Sequence, residues 1–328
     1  MTKQQILGNQ KEKKPIEELL RQAGKDTVID GVVKKVLRQD NKTGAEGNAT
    51  EEQETLDKKI SFKFCGRIAH PRGTRAVSLS SDGKYLATGC DDCHIRLFKL
   101  DDVCHGLLHQ ADSENIAKKH IPHVVVNSVS FDPSGKYLAV AGSAYVKIFK
   151  LKRDFKFFNF RLKHITSERH LKAYSMNSVA FHPTKGYLAT GCNDGYTRVY
   201  NFKKGKLEEI ANLKHPGHVS AVDPYFYFLT AGIGRHVTTF EFESEFSKIS
   251  DDEAPVTVFG LSHTPDSRFL AAGHCGYVGI YHTTFLKESG RIQHPDTVCE
   301  VDFSSDGKFL ATACLDGNVR LYQVNREE

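Results

Sequence analysis

The sequence predicts an all-β fold made of repeated small sheets, and three observations carry that prediction. A fragment recurs: SDGKYLATGC at 81, PSGKYLAVAG at 133, TKGYLATGCN at 184, DSRFLAAGHC at 266 and SDGKFLATAC at 305, with YFYFLTAGIG at 225 as a weaker copy. The leucine of each copy (Leu86, Leu138, Leu188, Leu229, Leu270 and Leu310) is followed 11 or 12 residues later by an aromatic: Phe98, Phe149, Tyr200, Phe240, Tyr281 and Tyr322. Between these anchors, apolar and polar residues alternate and Gly and Asp mark the turns, which is the pattern of a β-meander.

The second copy shows how one unit is built. VNSVSFDPSGKYLAVAG reads as a strand, a Pro-Ser-Gly turn and a second strand, and AYVKIFKL alternates again as a third. The leucines are 50 to 52 residues apart early in the chain and 40 or 41 later. A sheet of ~40 residues cannot bury both faces alone, but a ring of such sheets buries each between its neighbours, so the expected architecture is a β-propeller. Six blades are detectable.

The residues then resemble the WD-repeat family, whose hallmark is apolar-Ala-Thr-Gly-x-x-Asp-Gly-x-apolar-Arg-apolar-aromatic. It stands here as LATGCNDGYTRVY in the third unit, LATACLDGNVRLY in the sixth and LATGCDDCHIRLF in the first, and the resemblance spans roughly residues 59 to 326. It implies a structural network of an upstream His, a Ser or Thr in the second strand, an Asp before the third strand and a closing aromatic. Carried over, these are His70, Thr88 and Asp92 in the first unit, Thr190, Asp194 and Tyr200 in the third, and His294, Thr312, Asp316 and Tyr322 in the sixth. The closing aromatic is usually Trp, and this chain has none. Phe cannot replace the indole donor, whereas Tyr can through its hydroxyl. The second, fourth and fifth units lack the Asp, so packing must hold their turns.

The last unit ends on its third strand, NVRLYQVNREE, and KISFKFCGRIAH reads as a strand ahead of the first unit. The family often closes its ring with such an N-terminal strand, so residues 59–69 are expected to complete the last blade. The propeller domain is then 59–328. Residues 1–58 form an N-terminal extension, in which Ile16, Leu19, Leu20 and Ala23 give one short helical face and Val28, Ile29, Val32, Val33, Val36 and Leu37 another. A seventh blade would have to come from residues 40–58, which read as a polar linker.

The remaining patterns bear on chemistry. Cys90 and Cys93 followed by His105 and His109 mimic a zinc finger. Cys90, however, occupies the same small-residue slot as Cys192 and Cys314, four after the anchor leucine, and Cys93 takes a turn-glycine slot, so the stretch reads as a blade turn and no metal is expected. No phosphate-binding loop or nucleophile elbow is present. The acidic run Asp251, Asp252 and Glu253 reads as a solvated loop. No cofactor and no catalytic residue is implied. No apolar run is long enough to span a membrane, and eight cysteines without a secretory signal suggest an intracellular protein of cytoplasm or nucleus.

Two surfaces remain for partners. The position four residues before each closing aromatic holds His94, Tyr145, Tyr196, His236, Tyr277 and Asn318. In the family this position leaves the turn around the channel mouth, so these residues are the expected collar for a protein or peptide, and a non-catalytic scaffold is the expected function. The basic stretch 150–172 has interleaved aromatics and offers Lys152, Arg153, Lys156, Arg161 and Lys163 to RNA. It also reads as a long outer strand with Phe158, Phe160 and Leu162 inward. A ubiquitin-ligase substrate receptor would show Trp-Asp-x-Arg where this chain has Tyr200-Asn201-Phe202-Lys203 or Tyr322-Gln323-Val324-Asn325.

Overall fold

The computed structural model describes residues 60–104, 115–154, 159–169, 175–225, 227–242, 246–283 and 287–326. Four antiparallel meanders follow one another. They are β2 (Thr74–Leu79), β3 (Tyr85–Cys90), β4 (His94–Lys99) and β5 (Ala117–His120); β6 (Ser128–Phe131), β7 (Tyr137–Gly142), β8 (Tyr145–Asp154) and β9 (Asn159–Arg169); β10 (Met176–Phe181), β11 (Tyr187–Cys192), β12 (Tyr196–Lys203) and β13 (Lys206–Lys214); and β14 (Val219–Tyr225), β15 (Phe228–Ile233), β16 (His236–Glu241) and β17 (Lys248–Glu253). The fifth sheet has six strands. It joins β18 (Gly260–His263), β19 (Phe269–His282), β20 (Lys287–Phe303), β21 (Phe309–Cys314), β22 (Asn318–Arg326) and β1 (Ile60–Ala69), the first described strand of the chain.

The propeller therefore has five blades and not the six expected. The reason is β20, which runs unbroken for 17 residues. Its first half pairs with β19 from Lys287 to Gln293, and its second half pairs with β21 from Val298 to Phe303. The fifth and sixth sequence units still share an apolar core, in which Phe269, Val278 and Ile280 meet Val298, Val301 and Phe303. The expected outer strand is in place: β1 runs antiparallel to β22, from Ile60 opposite Arg326 to Ala69 opposite Asn318. The expected N-terminal helices lie outside the described residues, where the only helix is α1 (Leu100–Cys104).

The core lies between blades. Ile95, Leu97, Val129, Phe131, Leu138 and Phe149 bury the first blade against the second. The anchors Leu86, Leu138, Leu188, Leu229 and Leu310 are fully buried. The small residues of the second strand have a steric cause. A Cβ at Gly89 would stand 2.2 Å from a methyl of Val126 in the chain leading to the next blade. Burial thus favours the leucine and, three residues on, Gly or at most Ala, as at Ala141 and Ala313.

The turns between second and third strands are tight, and their last residue takes a left-handed backbone. Gly195 and Gly317 do so at φ 81° and 83°. Cys93 holds the same slot at φ 62°, which costs an L-residue about 1–2 kcal/mol. Cys93→Gly is therefore expected to raise stability by about 1 kcal/mol, and Gly195→Ala to lower it by a similar amount. Urea unfolding of both variants checks this, and a destabilised Cys93→Gly would show that the thiol contributes more than its backbone costs.

Candidate functional site

The hallmark fragment builds the same device in three blades. Asp92 takes hydrogen bonds from the His94 amide at 3.1 Å and from both Arg96 terminal nitrogens at 3.2 and 2.5 Å. Asp194 does likewise with the Tyr196 amide and Arg198 at 3.2, 3.3 and 2.6 Å, and Asp316 with the Asn318 amide and Arg320. Burial alone would raise these carboxyls. The bidentate Arg outweighs it and holds Asp92 and Asp316 at about 2. The arginine is in the hallmark, but sequence reasoning gave it no role. Arg96 is fully buried.

The histidines complete two of these blades. His70 Nε2 lies 2.8 Å from Thr88 Oγ1 and its ring meets Phe98 edge-on, while His294 lies 2.9 Å from Thr312 and beside Tyr322. The third blade is wired differently. Thr190 contacts the Arg198 carbonyl at 3.5 Å, and His215 from the next unit reaches Thr197 at 2.9 Å. In the fifth unit His274 occupies the cysteine slot and meets the Tyr281 hydroxyl at 3.0 Å. Where the Asp is missing, Ser143 (φ 48°), Gly234 (φ 59°) and Gly276 (φ 80°) carry the tight turn.

The cysteine slot is equivalent in all three blades that have it. Each thiol donates to a carbonyl just upstream of the inner-strand pairing, in a loop for Cys90 to Arg72 at 3.3 Å and Cys192 to Ser175 at 3.3 Å, and within β20 for Cys314 to Asp296 at 3.4 Å. Burial pushes Cys90 up to about 11. His105 and His109 lie outside the described residues, among which no group of three or more His, Cys, Asp or Glu is placed to hold a metal.

The six expected collar positions all stand where a third strand begins or, for Tyr277, within β19. His236 is exposed and the others are half-buried. The tyrosines carry cations over their faces: Lys147 at 5.3 Å from Tyr145, Arg198 at 5.1 Å from Tyr196 and Arg291 at 4.5 Å from Tyr277. His94 lies tilted against His120 with ring centres 4.8 Å apart, His236 pairs with Asp251 at 3.2 Å, and the Asn318 side-chain amide donates to the Asp316 carbonyl at 3.3 Å. The run Asp251, Asp252 and Glu253 is not the loop expected but part of β17, held in register opposite His236, Val237 and Thr238.

A second constellation went unread in the sequence. Around the axis, a side chain of one inner strand accepts a hydrogen bond from a backbone amide of the next. Ser78 accepts from Phe131 at 3.2 Å, Ser130 from Phe181 at 2.9 Å, Asp223 from His263 at 2.7 Å, Ser262 from Phe303 at 3.0 Å and Asp302 from Leu79 at 2.6 Å. One layer away, Ser128 accepts from Val179 at 3.1 Å, Ser178 from Val222 at 3.0 Å and Glu300 from Val77 at 2.8 Å. Glu300 also accepts the Ser128 hydroxyl at 2.5 Å. Enclosure by the inner strands raises Asp302 to about 7 and lifts Glu300 well above the carboxylate range.

The basic stretch forms the β8–β9 hairpin. Leu162 points into the core between the first two blades, while Arg161 and Lys163 are exposed. Lys152 is exposed as well; Lys156 and Phe158 lie outside the described residues, as do the side chains of Arg153 and Phe160. Among the described residues no helix is long and apolar enough to cross a membrane.

Comparison with known proteins follows this geometry. The family described as WD domain, G-beta repeat matches residues 63–99, 116–150, 164–201 and 287–323. It leaves out most of the fourth and fifth units, which lack the Asp. Protein HIR1 of Candida albicans is 22% identical over 347 residues, covering 90% of this chain and 37% of that protein. A periodic tryptophan protein 2 homolog of Dictyostelium discoideum is 22% identical over 77% of this chain and 26% of its own length. The Target of rapamycin complex subunit wat1 of Schizosaccharomyces pombe is 20% identical over 69% of each. The chain thus spans about a third or less of the first two relatives.

Two outcomes follow. Asp316→Ala strands a nearly buried arginine and an amide, so it should cost roughly 1–3 kcal/mol. Glu253→Ala in the acidic run of β17 breaks only an exposed ion pair with Arg235 and should cost about 0–1 kcal/mol. Equal unfolding midpoints would refute the difference. Asp302 titrates at about 7 in the fold against 3.8 when unfolded. Folding therefore takes up a proton, and this contribution is complete below about 4 and lost as pH rises through about 7. Asp302→Asn keeps an acceptor for Leu79 and removes the titration. The stability of wild type relative to this variant should fall between pH 5 and pH 8, and parallel profiles would contradict the assignment.

Proposed function

The chain is a WD-repeat β-propeller protein, and from that premise we propose that it is a non-catalytic scaffold that holds other proteins on the rim around the channel mouth. The observation that carries this reading is the collar. Equivalent rim positions hold Tyr145, Tyr196, Tyr277, His94 and His236, and none of these rings is buried, whereas the closing aromatics Phe98 and Tyr200 are. A ring needed only for packing would be buried like those. Half-exposed Tyr backed by a cation suits a partner surface, since aromatic residues are enriched in interface hot spots.

Apolar residues extend the rim. Val125 and Val256 are among the exposed large apolar side chains. The Val125 carbonyl abuts Gly142, which pairs with Tyr145, and Val258 bonds back to Gly234 at the turn that starts His236. Both valines thus stand beside collar turns. That one relative is named as a complex subunit supports an assembling role. A ubiquitin-ligase receptor is less well supported, because Phe202 packs on Tyr137 and Lys203 opens the β12–β13 turn where that class carries its signature.

The test replaces Tyr145, Tyr196 and Tyr277 together with Ala. Co-purifying proteins identified by mass spectrometry should be lost from the variant while its melting transition stays close to wild type. A photo-crosslinking residue at 145 should link to the same partner, and one at Lys119 on the outer edge should not. A variant that keeps every partner would overturn the proposal.

A further inference from the structure

We propose that the flank formed by the second and third blades binds single-stranded RNA through its phosphates. This goes beyond the scaffold reading and uses another surface.

The β8–β9 register sets like charges directly opposite each other. Lys150 faces Lys163 and Lys152 faces Arg161. Such pairs destabilise a sheet. Because side chains alternate, all four cations share one face, while Leu151 and Leu162, also opposite each other, turn to the core. The next blade adds to the array. Its β12–β13 hairpin turns through Lys203, Lys204, Gly205 and Lys206, and a Cβ at Gly205 would stand 3.1 Å from Ile165 of β9. The lysine turn therefore abuts the basic hairpin. Lys204 is held at φ 53°, in a tight turn where Asn or Gly costs less.

Other blades neutralise such charges. Lys248 pairs with Asp251 at 2.6 Å, Arg235 with Glu253 at 3.2 Å and Arg291 with Glu288. Lys84, Arg268 and Lys308 in the first-to-second-strand turns each have an Asp within 4 Å. Lys150, Lys152, Lys163, Lys203, Lys204 and Lys206 form no ion pair among the described residues.

The chemistry of the occupant follows from what the flank has and lacks. Cations on alternate residues of a strand stand about 6.7 Å apart, close to the step between phosphates of an extended single strand. Among the described residues, Ile210 on β13 is the one exposed large apolar side chain of this flank, and Phe64, Val125 and Val256 lie elsewhere. A protein partner would need an apolar centre to bury, whereas a phosphate backbone needs only the charges. The same lysines would also keep the outer strand from pairing with another chain, and that role predicts no ligand.

Fluorescence anisotropy of a labelled twelve-nucleotide oligouridylate with the full chain tests the proposal. Binding should weaken with salt with a log–log slope of about −4, as expected for about six phosphate contacts. Lys152→Gln with Arg161→Gln and Lys163→Gln should lower affinity at least tenfold and flatten the slope by about two. Lys203→Gln with Lys204→Gln and Lys206→Gln is a second, independent variant with the same expectation, should the first fail to fold. Lys84→Gln with Arg268→Gln and Lys308→Gln removes equal charge elsewhere and should leave binding within twofold. The collar variant should bind RNA as wild type does, so the two proposals fail separately. Absence of binding at low salt, equal loss in all three charge variants, or displacement of the RNA by polyglutamate of equal length would overturn it.

Discussion

The propeller depends on the circle of hydrogen bonds around its axis. Packing alone would let neighbouring blades slide, because apolar contacts are not directional. A serine or aspartate that accepts the amide of the next inner strand fixes the height of each blade against its neighbour. Five of these links share one layer. The sixth link of that layer is missing from both sides at once: β10 offers Ala180 and β14 offers Pro224, which has no amide to donate. There the layer of Ser178 and Val222 supplies the link. The seam between the first and last inner strands is different in kind, with Asp302 and Glu300 where most other inner strands use Ser. An ionised acceptor makes a stronger hydrogen bond, but enclosure penalises its charge. The result is a joint whose strength depends on protonation, placed where the chain closes on itself.

Within the blades the Asp–Arg pair holds the turn between second and third strands. Its net energy is modest, because removing both charges from water offsets their attraction. Its geometric role is larger. One carboxylate bonds the amide two residues on and grips an arginine four residues on, so the turn and the start of the third strand are set together. The tryptophan that usually closes this network is replaced by Phe or Tyr, with edge-on ring contacts such as His70 to Phe98. The fifth unit recovers a polar link through the Tyr281 hydroxyl and His274.

Those features were legible in the sequence to the extent that they are periodic. The leucine and aromatic anchors, the Cys90, Cys192 and Cys314 slot, the turn position of Cys93 and the closing strand at residue 60 all depend on local spacing. The axial bonds were not legible, because each depends on the register between two units, 40 to 53 residues apart around most of the ring and 223 apart at the closing seam. Ser78, Ser130 and Ser262 also look like the polar half of any alternating strand. The five-bladed count escaped for a related reason: Gly290 and Pro295 read as breaks between two units, whereas β20 runs through both and serves two pairings. His215 was missed as a partner of Thr197 because it bonds backward across a blade boundary.

Because inner strands carry the inter-blade bonds, the rim and the outer hairpins are free to differ between blades. The departures from uniformity fall there. The fourth and fifth units pair their outer cations with carboxylates, whereas Lys150, Lys152, Lys163, Lys203, Lys204 and Lys206 of the second and third form no ion pair among the described residues. At the rim, ring side chains stand where a small residue would satisfy the turn. Neither departure is required by the core, since the buried clusters between blades include neither the collar rings nor the lysines of the flank. A residue that the fold does not need, and that opposes local stability as Lys152 opposite Arg161 does, is best accounted for by something outside the fold. The two proposed surfaces, one aromatic and one cationic, are then held in fixed relation by the same circle of serines and carboxylates.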